Sequence, residues 1–113
     1  MVIVEDMSLE GEVNEDITIK EQARLQIRSG AIVNGNVEVL DGSFLESHGT
    51  INGNIFVSLE SRAELHGEVF ADKIECIGET YIYGNVECKT EPEGNIKYHM
   101  GSVVNGVYHK DID

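Results

Sequence analysis

His48 and His66 stand eighteen residues apart, and Glu46 and Glu64 precede them at the same interval. Imidazole and carboxylate serve both as zinc ligands and as general acids and bases, so this quartet is the first place to look for chemistry. A zinc site wants a third protein ligand, which Glu46 or Glu64 could supply beside the two imidazoles. Each histidine also lies three residues before an aliphatic side chain, Ile51 or Val69, and Tyr83 continues the column. The spacing therefore reports a repeat before it reports a site. A chain of copied units aligns like residues whether or not they bind anything. His48 and His66 are weak metal candidates on that ground. No catalytic residue and no cofactor is expected, and the chain is not read as an enzyme.

The remaining reactive types say less. Glu38 and Glu75 share another column, and paired carboxylates can hold Ca²⁺. The GGxGxD pattern of calcium-binding nonapeptide repeats is absent, so a solvated acidic face is expected instead. Cys76 and Cys88 are the only cysteines and lack CxxC spacing. They read as packed, reduced thiols of a cytoplasmic protein. Tyr81 and Tyr83 flank Ile82, an alternation that turns tyrosine outward. They are candidates for an aromatic anchor at a protein interface.

The elements that position these residues follow from one phrase, "VNGNV" at 33–37, which returns as "INGNI" at 51–55. Stepping by six from Val33 gives Val39, Leu45, Ile51, Val57, Ala63 and Val69, every one aliphatic. Longer steps give three columns. One runs Val33, Ile51, Val69, Val86, Val104; a second Ile17, Val37, Ile55, Ile74, Ile96; a looser third Leu25, Leu45, Ala63, Ile82 and Val103 or Val104. Apolar and polar residues alternate over four or five positions and then break at Gly or Asn, which is strand-like. A repeat near twenty residues, too short for a helical hairpin, signals a solenoid. The expected fold is all-β: one domain over 1–113, a three-faced β-helix of about five turns of roughly 18 residues, whose six-residue step suits a coil of either hand. Turns stack at about 4.8 Å and bury their apolar sides only against each other.

In this frame Gly35 and Gly53 form corners, where the backbone needs positive φ or a close approach. Asn34 stacks on Asn52 and Asn36 on Asn54, as amide ladders do in cross-β structures. "LEGEV" at 9–13, "LHGEV" at 65–69, "IYGNV" at 82–86 and "VNGVY" at 104–108 are related forms. Pro92 predicts a protruding loop around Thr90 to Gly94. Atypical terminal rungs are expected near 1–13 and 103–113.

The net charge of −13, from 21 acidic and 8 basic residues, repels nucleic acid and anionic membranes. "MVIVEDMSLE" has no basic n-region, and no stretch approaches the roughly 20 apolar residues of a membrane span. A basic protein would be attracted.

The recurring "GNV"/"GNI" at Gly35–Val37, Gly53–Ile55, Gly84–Val86 and Gly94–Ile96 resembles the bactofilins, over about residues 7 to 108. The resemblance implies a right-handed β-helix, the hand that the variable repeat length of 17 to 22 residues also favours, which polymerises end to end, without nucleotide, into bacterial cytoplasmic scaffolds. Members typically flank this core with disordered, often Pro-rich tails, and some carry an amino-terminal membrane-targeting peptide; the sequence departs from both patterns, so membrane attachment is not expected. Self-association is expected through Val2, Ile3, Val4 and Leu9 at one end and Val103, Val104, Val107 and Tyr108 at the other, because terminal rungs leave strand edges unpaired. The alternative is a small acidic module, an immunity-type inhibitor of a basic partner. Glu5, Asp6, Asp111 and Asp113 near the termini hint at blunted ends.

Overall fold

The structure, a computed structural model, describes residues 1–108. Short strands follow one another around a triangular coil, three to a rung. The first rung is β1 (Val2–Ile3), β2 (Met7–Leu9) and β3 (Glu12–Val13). The second is β4 (Ile17–Ile19), β5 (Arg24–Ile27) and β6 (Ile32–Asn34). The third is β7 (Val37–Val39), β8 (Phe44–Ser47) and β9 (Thr50–Asn52), and the fourth β10 (Ile55–Val57), β11 (Arg62–Leu65) and β12 (Glu68–Ala71). In the fifth, β13 (Ile74–Ile82) runs unbroken round one corner before β14 (Asn85–Cys88). The sixth has β15 (Glu93–Tyr98) and β16 (Val103–Val104), and β17 (Val107–Tyr108) folds back antiparallel on β16. There are therefore six rungs, not five. The short strands of the terminal rungs carry too little alternation to be counted from periodicity.

Every rung-to-rung pairing is parallel, and the pairings build three columns of strands. The first face stacks β1, β4, β7, β10 and the start of β13; the second stacks β2, β5, β8, β11 and the end of β13. The third stacks β3, β6, β9, β12, β14 and β16. Because β13 belongs to two faces, those columns join into one ten-stranded sheet.

The core is the axis of the coil. Val33, Val39, Leu45, Ile51, Val57, Ala63 and Val69 are all buried, which is the six-residue step seen as inward positions. The third-face column pairs Val33, Ile51, Val69, Val86 and Val104 in direct register. Two other columns differ from expectation near the carboxy-terminal end. Ile96 lies over Thr80 on the second face, not over Ile74. Ile82 lies over Leu65, while Thr80 continues the column Leu25, Leu45, Ala63. Ile82 shifts because only Ile77 and Gly78 turn the corner that Ser58–Ser61 turn in the rung before, and Ile96 shifts because the register slips again between Cys76 and Thr80 where β15 pairs with β13. Nor does a loop protrude at Thr90 to Gly94. Pro92 is buried, and Glu93 and Gly94 pair with Glu75 and Cys76.

The glycine phrases divide between two corners. Gly49, Gly67 and Gly84 turn the chain from the second face to the third, and Gly35 and Gly53 from the third to the first. Neither Gly35 nor Gly53 has positive φ; the requirement is close approach. A Cβ at Gly53 would strike the carbonyl oxygen of Gly35 one rung away. One amide ladder and one column of side-chain-to-backbone bonds run beside this corner. Asn34 Nδ2 donates to Asn14 Oδ1 at 2.7 Å and Asn52 Nδ2 to Asn34 Oδ1 at 2.8 Å. Asn36 Oδ1 instead accepts the backbone N–H of Asn54 at 2.8 Å, and Asn54 Oδ1 accepts those of Asp72 and Lys73. Corner N–H groups without a ladder partner are satisfied in this way.

Candidate functional site

The residues singled out for chemistry collect on the second face. Strand alternation sends Leu25, Ile27, Leu45 and Leu65 inward and their neighbours outward. One outward column is Arg24, Phe44, Arg62 and Glu79; the next is Gln26, Glu46, Glu64, Tyr81 and Lys97. A third stands where each strand meets its corner. There the backbone N–H groups of Arg28, His48, His66, Tyr83 and His99 each bond to the carbonyl one rung below.

This corner column is a stack of rings. His48 and His66 lie 4.5 Å apart between centroids, His66 and Tyr83 4.2 Å, and Tyr83 and His99 4.0 Å. The interplanar angles of 11°, 9° and 25° leave ring edges, not faces, toward solvent. Beside it runs a second alternation of cation and ring. The Arg24 guanidinium sits 5.1 Å from the Phe44 centroid, and that of Arg62 sits 5.6 Å from Phe44 and 4.6 Å from Tyr81. Such contacts favour the planar guanidinium.

Glu46 and Glu64 lie between the two columns and bond to both. Arg24 Nη2 donates to Glu46 Oε1 at 2.6 Å, and His48 Nε2 is 2.8 Å from Glu46 Oε2. One rung on, Arg62 Nη2 donates to Glu64 Oε2 at 2.8 Å and His66 Nε2 is 3.2 Å from Glu64 Oε1. The His48 hydrogen bond, then that of Arg24, holds the Glu46 carboxyl below the usual carboxylate range. Tyr81 donates to Glu79 Oε2 at 2.6 Å, and that bond pushes its hydroxyl pKa up. Burial raises Tyr83, with the Glu64 charge adding to it.

What this arrangement offers is rigidity. Each imidazole Nε2 is engaged by the carboxylate of its own rung. Among the described residues no three His, Cys, Asp or Glu side chains are placed to hold a metal ion. The depression beside Gln26, Arg28, Ser29, His48 and His66 is an open hollow of about 510 Å³. Glu38 and Glu75 share a column on the first face with Phe56 between them. Cys76 and Cys88 are free and buried, and burial pushes both thiols up.

The ends of the coil are unlike its middle. β1, β2 and β3 each pair on one side only, so the first rung presents three open strand edges. Val2, Val4 and Met7 are exposed there, whereas Ile3 and Leu9 turn into the core. At the other end β17 covers the edge of β16, and β15 leaves its edge open. Val107 and Tyr108 are exposed, Val103 is half-buried and Val104 is buried. Asp111 and Asp113 lie outside the described residues.

A family model described as bactofilin, polymer-forming cytoskeletal, matches residues 1–87 of this coil. The chain belongs to the bactofilin family. No curated protein matches it, and no solved structure does. Bactofilins are a structural family, not an enzyme family, which accords with the mutually satisfied Arg, Glu and His groups of the second face. The match ends in β14, so the sixth rung and the β17 hairpin lie outside it. Among the described residues no helix is long and apolar enough to cross a membrane.

Sequence spacing had pointed to His48, His66 and Tyr83 as one column, and the rings do stack. Arg24, Arg62, Phe44 and His99 were not singled out. For Arg62 the signal was present: Arg62, Glu64 and His66 alternate at period two, the mark of one strand face. Arg24 reaches Glu46 across 22 positions, an interval that no fixed repeat step predicts.

Proposed function

We propose that the chain is a structural protein whose terminal rungs associate end to end, building a cytoplasmic scaffold or filament. The observation that carries this reading is the first rung, where unpaired strand edges adjoin exposed Val2, Val4 and Met7. Such an edge is a template for another chain. The polymer-forming character of the family supports the same reading. Val2 and Val4 at one end, with Val107 and Tyr108 at the other, are the contact residues; Ile3, Leu9, Val103 and Val104 support them from within or beside the core. A head-to-tail contact extends indefinitely, and so do two-fold contacts made at both ends.

Sedimentation velocity and negative-stain microscopy over a range of salt test this. Polymers are expected from the unaltered chain, and Val2→Asp with Val4→Asp should shorten or abolish them without lowering thermal stability. A strict monomer at high protein concentration and high salt overturns the proposal.

A second reading, a small acidic inhibitor of a basic protein, draws on the carboxylates of the first and third faces. It requires a monomer that forms a salt-sensitive complex with such a partner. The enzyme reading built on His48 and His66 has no comparable support.

A further inference from the structure

Asparagine followed by glycine occurs three times, at Asn34–Gly35, Asn52–Gly53 and Asn105–Gly106. In such a pair the glycine nitrogen, unhindered by a side chain, can attack the asparagine side-chain carbonyl and expel its amide nitrogen as ammonia. Each pair follows a β-branched residue, Val33, Ile51 or Val104, and each asparagine is exposed. Local sequence and exposure therefore make the three equivalent. The fold does not.

Two of the pairs are held fast. Asn34 and Asn52 belong to the amide ladder, where each Nδ2 donates to the asparagine one rung before. The Gly53 N–H is committed to the Phe70 carbonyl at 3.0 Å. Space is lacking too: the backbone of Glu15 stands where a carbon added at Gly35 would go, and that of Gly35 blocks Gly53. Closing a ring there, or lengthening the backbone, requires the rungs to separate.

Asn105–Gly106 is the opposite case. It forms the two-residue turn between β16 and β17, with positive φ at both residues, 50° and 80°, as a type I′ hairpin requires. A Cβ at Gly106 would meet nothing within 4 Å, and the Gly106 N–H has no acceptor among the described residues. Asn105 Oδ1 accepts the Cys88 N–H at 2.7 Å, while its Nδ2 is left to solvent. That bond polarises the amide and stabilises the oxyanion that forms on attack. Only two residue pairs hold the hairpin, so the opening that brings the Gly106 nitrogen to Cγ is local and inexpensive.

We propose that Asn105 is a self-modification site, converted without an enzyme to isoaspartate or aspartate. The Gly106 nitrogen gives its proton to hydroxide and bonds to Asn105 Cγ. The Cγ–Nδ2 bond breaks, and the nitrogen leaves as ammonia with a proton from water, which regenerates hydroxide. Water then cleaves the cyclic imide, at the backbone carbonyl to give isoaspartate or at the side-chain carbonyl to give aspartate. Isoaspartate adds one carbon to the backbone of a two-residue turn. The pairing of β17 with β16 then loses its register, and the strand edge that β17 covers is opened. What an opened edge does for assembly rests on the end-to-end reading; the chemistry does not.

The test holds the full chain in weakly alkaline buffer, folded or in urea, and digests samples at intervals. Mass spectrometry follows amide-to-acid conversion at each asparagine, and electron-transfer fragmentation separates isoaspartate from aspartate. In urea the three sites should react at similar rates. In the folded chain Asn105 should stay within about tenfold of its urea rate, with Asn34 and Asn52 slowed by about a hundredfold or more. Equal rates at the three folded sites, or protection of Asn105 as deep as that of Asn34, overturns the proposal. Amide hydrogen exchange across β16 and β17 should quicken as the unaltered chain ages. It should stay constant in Asn105→Gln, whose longer side chain disfavours ring closure. Exchange unchanged in converted protein overturns the uncapping. None of these readouts needs a filament, so failure to polymerise bears on the end-to-end reading alone.

Discussion

At Gly53 there is no room for even a methyl group, because the Gly35 carbonyl of the neighbouring rung occupies the place a Cβ would take. The blocking atom is backbone held by the strand ladder, so relief must come from separating rungs. Gly53→Ala should cost about 3 kcal/mol, at the upper end for overpacking. Gly11→Ala meets open space and strains only a positive φ of 74°, so about 1 kcal/mol is expected there. Urea denaturation of both variants checks the contrast. Glu46 gives a second prediction. Its folded pKa is depressed, so its stabilisation is present above the ordinary value of 4.5 and is lost as pH falls through the folded pKa. Glu46→Gln should therefore lose about 0.5–1 kcal/mol near neutrality, a modest value for a largely surface pair. The gap to the unaltered protein should close as pH is lowered below 4.5, measured by stability against pH.

Among the elements, the third and fourth rungs are the most regular. β8 and β11 pair over four residues, and the interval between them is the eighteen read from the sequence. Elsewhere the corners vary in length, and the columns through Ile82 and Ile96 shift accordingly. The inward column Leu9, Ile27, Ser47, Leu65 and Ile82 contains one polar residue. The Ser47 hydroxyl is buried without a hydrogen-bond partner. An unpaired buried hydroxyl is costly, so Ser47→Ala should be neutral or stabilising by up to about 1 kcal/mol. Leu45→Ala, two positions away and equally buried, should cost about 3 kcal/mol by leaving a cavity. Thermal unfolding of the two variants distinguishes the cases by sign.

For the whole molecule, the asymmetry of the ends matters most. The first sixteen residues hold six carboxylates and no basic side chain. Polymerisation through the first rung should therefore strengthen as salt rises to about 0.15 M, where the screening length falls to about 8 Å. Sedimentation at two salt concentrations checks this. The carboxy-terminal end is partly closed by β17 on β16, and the Asn105 side chain braces it by accepting from the Cys88 N–H at 2.7 Å. Contacts there must use the β15 edge or the outer side of β17.

The sequence alone determined the stacked coil, its inward residues and the alignment of His48 with His66. An aliphatic residue must recur wherever the chain faces the axis, so Val33, Ile51 and Val69 announce the repeat. Surface partnerships carry no such constraint. Whether Arg24 meets Glu46 depends on the corner lengths accumulated between them, and a corner gains or loses residues with no change in the core pattern. Likewise "NGN" marks a corner in sequence, but only the stacked rungs show that Gly53 is excluded from having a side chain by a carbonyl eighteen residues away. The tertiary structure alone assembled the Arg, Glu and ring columns into one face, because neighbours across rungs are set by register, which is a property of the whole coil.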